Sequence, residues 1–489
     1  MSQPLILVLD EGTTSTRAML FDAAGALHGI AQEELAQHYP QSGRVEHDAG
    51  EIWQQTLACA RAMVTAAGGA DRIAAIGITN QRETVVAWDT ASGEPLHRAI
   101  VWQDRRTANF CAELKAAGHE EAVRAKTGLV LDPYFSATKM RWLLDNSDAV
   151  RAAATAGTLA FGTVESWLVW KLTGGARHVT DASNASRTLL LALEGKDWDA
   201  DLLALFGVPR AALPAIVDCA GDLGTTTLLG ASIPICGMAG DQQAATIGQG
   251  CLAPGETKAT YGTGAFVLAN TGTKPPRSDH RLLGTVLWQI AGERTYALEG
   301  SVFVAGSLIK YLRDTLGLLD DAAQSEALAR SVADSGGVVI VPALAGLGAP
   351  HWRPQARGMI AGLGFDSTRA HIARAALEAM AHQTHDLALA FAADDAGWAS
   401  LRIDGGMAAN DWMAQDVADI LGIAVVRPVL VETTALGAAM LAAVGAGIHA
   451  TLAEAATAMI GATTCFTPAM DEPVRTERLA RWQAALATV

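Results

Sequence analysis

A chain of 489 residues is too long to enclose a single hydrophobic core and suits two or three domains. Half of it is hydrophobic and 18% charged, which marks a globular protein. A net charge of −15, with no cluster of Lys and Arg interleaved with aromatics, argues against a nucleic-acid surface. The six cysteines are scattered without metal or redox spacing, and the N-terminus lacks a basic region followed by a signal-like apolar run, so a cytoplasmic protein with reduced thiols is expected.

Leu5–Leu9 is an apolar run of strand length that delivers Asp10 at its end, and Gly12 permits a tight reversal into a second strand, Ala18–Phe21. The hydroxyls of Thr13, Thr14 and Ser15 and the backbone N–H groups of that turn can hold phosphate oxygens, while Asp10 can hold a metal ion. Asp48 followed by Glu51 predicts a capped helix carrying Ile52, Leu57, Ala60 and Val64. A strand over 73–78 then leads to Arg82 and Glu83. At a strand end, such a pair offers donors and acceptors to adjacent hydroxyls. Trp102 and Tyr134 would form an apolar wall with a polar tip. His178–Asn184 reads as a polar loop.

Ile235–Gly240 is a second apolar strand that delivers a carboxylate, Asp241, as a general base, a metal ligand or a helix cap. Pro254-Gly255 marks the boundary between a first domain, residues 1–252, and a second, residues 253–489. Just beyond it the opening figure recurs as Lys258–Tyr261, Gly262-Thr263-Gly264 and Ala265–Leu268. Two such hairpins suggest a clamp closing on a polyphosphate from both sides. Further on, a helix carries Gly306 and Lys310, and a long helix carries His382, His385 and Asp386, read as a surface pair of histidines rather than metal ligands. At Asp404-Gly405-Gly406, Gly406 would let a flat ring approach the backbone, and Asn410 suits the cap of the next helix. The uncharged stretch 433–453 is long enough to cross a bilayer, but its Ala and Gly content predicts a buried helix, so no integral membrane segment is expected. A Gly-x4-Gly-Lys-Ser/Thr loop is absent, which excludes that way of holding ATP.

Two strand-end carboxylates, two Gly/Thr turns and a polar pocket suit phosphoryl transfer. Asp10–Ser15, Gly77–Thr84, Asp132–Phe135, Gly240–Gln243 and Tyr261–Gly264 closely resemble the FGGY carbohydrate kinases, and within them the branch that acts on glycerol. The resemblance runs from about residue 5 to 470 and implies an α/β protein of two ribonuclease-H-like (actin-like ATPase) domains, with ATP bound in the interdomain cleft. It implies Mg²⁺ with ATP, glycerol as acceptor and a homo-oligomer, dimer or tetramer. Thr13, Thr14, Ser15 and Arg17 would hold the phosphates, and Thr263, Gly306, Lys310, Gly406 and Asn410 the nucleotide. Arg82, Glu83, Tyr134, Asp241 and Gln242 would bind the acceptor hydroxyls, with Trp102 and Phe266 against its carbons. Asp241 would be the base, and Asp10 with Asp241 would place the metal. Two positions depart from the family pattern: Glu11, where Gln is usual, would add negative charge beside the phosphates, and Lys310 replaces a common Gln. The rival readings are a kinase for another sugar or polyol and a non-metabolic actin-like ATPase. The latter would need an added module, for which the single helix after Pro468 leaves no room.

Overall fold

The chain is seen in a computed structural model that describes residues 4–353 and 355–489. The run Leu5–Leu9 is apolar on both faces because both faces are covered, and it forms β1 (Leu5–Glu11), every residue of which is buried. It turns back as β2 (Ser15–Asp22) and continues to β3 (Leu27–Glu34), α1 (Ala49–Ala67) and β4 (Ile73–Asn80). After a helical insertion come β5 (Ala220–Thr226), β6 (Ile233–Gly240) and α2 (Asp241–Gly248). The sheet order is β5-β6-β4-β1-β2-β3, with β1, β4 and β6 parallel to one another and the outer pairs antiparallel.

The second half repeats this plan. β7 (Glu256–Tyr261), β8 (Ala265–Gly272), β9 (Leu283–Ile290) and β10 (Glu293–Val302) are followed by α3 (Gly306–Asp314) and α4 (Arg369–Ala393). Then come β11 (Ser400–Asp404), α5 (Asp411–Leu421), β12 (Val425–Pro428), α6 (Thr433–Gly445), β13 (Thr463–Phe466) and α7 (Glu472–Leu486). Here the order is β9-β10-β8-β7-β11-β12-β13, and β7, β11 and β12 run parallel. Each sheet therefore has a hairpin beside parallel strands whose carboxyl ends share one edge.

The uncharged segment that opens at Thr433 forms the buried helix α6, and no helix among the described residues is long and apolar enough to cross a membrane. Instead, α6 returns to the first sheet and packs its Ala-rich surface against Ile6, Val8, Met19 and Phe21. Glycines make that approach possible. A Cβ on Gly77 would lie 2.5 Å from the Ala438 carbonyl oxygen, and one on Gly437 would lie 1.8 Å from that of Ala244. The opposite face of the sheet is covered by α1, which Asp48 caps by accepting from the Gly50 and Glu51 N–H groups at 2.8 and 3.1 Å.

Two sequence expectations fail here, for one reason. His178–Asn184 is not a loop: Val179–Asp181 pairs with Ala215–Val217, and Ala182–Ala185 is a helical turn. Its polar groups are buried because they satisfy one another, the Asp181 carboxylate accepting from Asn184 Nδ2 at 2.7 Å. His382 is not on the surface but 3% exposed, its ring stacked 5.3 Å from that of Trp482 on α7. Asp386 beside it accepts from Trp482 Nε1 at 2.8 Å and Gln483 Nε2 at 2.9 Å. Both segments look solvent-facing only until a distant element covers them.

Candidate active site

Register brings the first-half residues together. Asp10 lies opposite Thr79, Glu11 opposite Asn80, and Asn80 opposite Gly240. The carboxyl ends of β1, β4 and β6 thus deliver Asp10, the Arg82–Glu83 pair and Asp241 to one edge, where open α/β sheets place their ligands. In the β1–β2 turn the Gly12 N–H donates to the Ser15 carbonyl at 3.0 Å. Gly12 keeps an ordinary φ, and it is glycine for room, since a Cβ would sit 3.2 Å from that oxygen. Thr13 Oγ1 accepts from Trp102 Nε1 at 2.9 Å, Thr14 is exposed at the tip, and Ser15 is half-buried. Arg17 pairs with Asp10 and, at 2.8 Å, with Glu432 at the start of α6.

Glu11 corrects an expectation. Side chains alternate along a strand, so Glu11 faces α1 rather than the turn, fully buried, with Thr16 Oγ1 at 2.8 Å and Thr56 Oγ1 at 2.5 Å. Burial pushes its carboxyl up to about 8, so it carries a proton at neutral pH and adds no charge beside the turn. The hydrogen bonds agree: the single Thr56 proton can serve the Ile52 carbonyl at 2.7 Å only if Glu11 supplies the other.

One cavity of about 680 Å³ is lined by Trp102, Tyr134, Gln242, Thr263, Phe266 and Glu299 among others. The Trp102 and Tyr134 rings meet edge to face at 5.6 Å, the apolar wall with polar tips. Behind it lie charges that are almost fully buried. Arg82 reaches Asp241 Oδ1 at 3.3 Å, Glu299 Oε2 at 2.6 Å and the Tyr134 hydroxyl at 3.4 Å. Glu83 holds a left-handed φ of +62°, a costly conformation for a glutamate. Burial raises the Asp241 carboxyl above the ordinary carboxylate range against the pull of Arg82, while its side chain stays 34% open to the cleft. It begins α2 rather than capping it, since Gly240 is the cap residue.

Sequence reasoning assigned no role to Glu299, Arg187 and Lys258. Burial would raise Glu299, yet Arg187 and Arg82 outweigh it and hold its carboxyl at about 2. Lys258 Nζ, wholly buried, donates to Gln242 Oε1 at 2.6 Å and Thr260 Oγ1 at 2.9 Å, which leaves the amide N–H groups of Gln242 as the end available to a ligand. Glu299, a lone charge in the mostly apolar Tyr296–Val304 run, carried the one local signal; Arg187 and Lys258 stand among polar neighbours and carried none.

A second cavity of about 700 Å³ is lined by Arg17, Asp241, Asp404, Gly406 and Val429, and it shares Gln242 and Thr260 with the first. The two chambers therefore meet beside Asp241. Gly405, at φ +87°, needs its glycine, because a Cβ would strike the Tyr261 carbonyl oxygen at 2.5 Å, while Gly406 borders open space. Asn410 caps α5 by accepting from the Met413 N–H at 2.9 Å; it follows Ala408 and Ala409 of the chamber wall in sequence but does not itself line the chamber. Gly306 starts α3 against the Gly262 carbonyl at 2.9 Å. Thr263 lines the first chamber rather than the second, and Lys310 lies exposed on α3 and lines neither. For a divalent cation the donors fit. Asp10 and Asp241 belong to one edge, and Asp404 Oδ1 is buried in the second chamber without a hydrogen-bond partner. No group of three or more metal-ligating side chains gathers among the described residues.

Known proteins carry the same plan. Models of the FGGY family of carbohydrate kinases match residues 5–248 (N-terminal domain) and 257–446 (C-terminal domain). Glycerol kinase of Dechloromonas aromatica (strain RCB) is 56% identical over 490 residues, covering 99% of this chain and 97% of that protein. Glycerol kinase 1 of Pseudomonas aeruginosa is 52% identical, covering 99% and 98%. The crystal structure of Plasmodium falciparum glycerol kinase with ADP superposes with a TM-score of 0.95 at 34% identity, covering 99% of this chain and 98% of that one. Xylulose kinase from Rhodospirillum rubrum superposes at 0.88 with 27% identity, covering 99% and 98%. With two α/β halves joined at a shared double chamber and both family models matched in order, the chain belongs to the FGGY family of carbohydrate kinases.

Proposed function

We propose that this protein transfers the γ-phosphoryl group of ATP to a terminal hydroxyl of glycerol, giving sn-glycerol 3-phosphate. The observation that carries the reading is the junction of the two chambers at Gln242 and Thr260, with Asp241 beside it and the Arg82–Glu83 pair buried behind the smaller one. Glycerol would lie with its carbons against Trp102 and Phe266 and its hydroxyls on Arg82, Glu83, Tyr134 and Gln242. Adenosine would rest along Gly406 and Val429, sending its phosphates toward the Thr13–Ser15 turn and Arg17. Asp241 accepts the proton of the attacking hydroxyl, a role for which a carboxyl raised by burial is better matched than an ordinary one. Asp10 and Asp241 would hold Mg²⁺, which when bound neutralises phosphate charge. The charge that spreads over the transferred group is met by hydroxyls, backbone N–H groups and Arg17, so catalysis rests on positioning.

The division into 1–252 and 253–489 belongs to the same reading, although α6 crosses back to the first sheet. So do a cytoplasmic location, which rests on the scattered cysteines, and a homo-oligomeric state, which rests on the family likeness alone. The test is ADP release with Mg²⁺-ATP and a panel of acceptors. Glycerol should be turned over far faster than xylulose, ribulose or gluconate. A faster sugar, or equal ADP release without any acceptor, would defeat the proposal.

A further inference from the structure

The buried charges of the acceptor chamber close into a ring that spans both halves of the protein. Arg82 Nη1 donates to Glu299 Oε2 at 2.6 Å, Arg187 Nη2 to Glu299 Oε1 at 3.0 Å, and Arg187 Nε to Glu83 Oε1 at 2.7 Å. Glu83 returns to Arg82 Nε at 3.9 Å, and all four side chains are at most 2% exposed. Three members come from the first half, but Glu299 is presented by β10 of the second sheet. With Asp241 and Lys258 the set comprises three cations and three anions, so the chamber is electrically balanced before any ligand enters. Buried charges persist only when compensated in this way.

The ring also fixes orientation. With Nη1 occupied by Glu299, Arg82 turns its Nε and Nη2 edge toward Asp241 and the Tyr134 hydroxyl. Arg187 lies 5.7 Å over the Tyr134 ring and 5.3 Å over that of Phe135, so it steadies the tyrosine as well. Its bond to Glu83 offsets the strain of that residue's left-handed backbone. We propose that Glu299 and Arg187 are positioning residues that set acceptor specificity, forcing Arg82 and Glu83 into a hydroxyl-reading geometry that exists only when the second sheet is docked on the first. This rests on the reading that the acceptor is glycerol.

The test compares wild type, Glu299→Gln, Glu299→Asp and the charge-balanced Arg187→Met/Glu299→Gln with glycerol and with ethylene glycol, which lacks one hydroxymethyl group. Glu299→Gln should raise the glycerol KM at least tenfold, leave the ATP KM within twofold, and cut the preference for glycerol over ethylene glycol at least tenfold. Glu299→Asp keeps the charge and the fold, but its shorter side chain cannot span both guanidinium groups, so the same readouts should move in the same direction. The double variant should melt closer to wild type than Glu299→Gln while keeping the KM defect. A purely structural glutamate would lower Tm and leave the preference intact. A glycerol KM within twofold of wild type and unchanged preference in Glu299→Asp, or in folded Glu299→Gln, overturns the inference. Inactivity of the wild type toward glycerol would instead defeat the functional reading.

Discussion

Replacing Asp241 by Asn tests the chemistry with the least change of shape. The amide is isosteric, and its oxygen can still accept the Gln242 N–H that Asp241 Oδ1 holds at 2.7 Å, so α2 keeps its start. Arg82 retains Glu299 and Glu83 as counter-charges, and Asp241 is its more distant strong partner at 3.3 Å against 2.6 Å for Glu299. Stability should therefore change by less than about 1–2 kcal/mol. The amide cannot take up a proton, and loss of a general base typically costs about 10²–10⁴-fold, or roughly 3–5 kcal/mol in barrier height. In a coupled ADP-release assay with saturating glycerol and ATP, kcat should fall by that factor while the glycerol KM stays within a few-fold. The wild type should lose activity toward acid pH as the carboxyl gains its proton, at a pH above that of an ordinary aspartate; the variant's residual rate should lack that limb. Retention of more than a tenth of kcat, with the acid limb intact, would refute the assignment.

Other expectations follow from different parts of the molecule. Arg82→Ala and Glu83→Ala should each raise the glycerol KM strongly with little change in ATP KM, because an unpaired buried charge is left facing the acceptor; steady-state kinetics in which the ATP term moves instead would contradict this. Gly437→Ala should destabilise by about 1–3 kcal/mol or more, since its Cβ would meet the Ala244 carbonyl oxygen at 1.8 Å and backbone cannot yield as a side chain can; an unchanged denaturation midpoint would dispose of the close helix approach. Burial, and then the charge of Asp181, push the Glu165 carboxyl up to about 7 from an ordinary 4.5. The folded state therefore holds a proton that the unfolded chain has released, and stability should decline as pH rises from about 4.5 through 7. Glu165→Gln should flatten that part of the stability–pH curve, and an unaltered slope would show that another group is responsible.

The strands that deliver Asp10 and Asp241, the two Gly/Thr turns, the caps at Asp48 and Asn410 and the buried nature of 433–445 were all determined by residues a few positions apart. Each rests on local rules: an apolar run of strand length, a small residue where the backbone crowds, a polar side chain that reaches the next free N–H. The tertiary structure alone decided which distant groups meet. Arg82 finds Glu299 217 positions away, and Arg187 finds Glu83 across 104. Strand register turns Glu11 from the phosphate turn toward Thr56, α7 covers His382, and α6 returns to complete the core of the first sheet. Periodicity tells a side chain which face to occupy, but the partner on that face is chosen by sheet order and helix docking, so a lone charge in an apolar run acquires its meaning only when the opposite charge arrives from the other half of the chain.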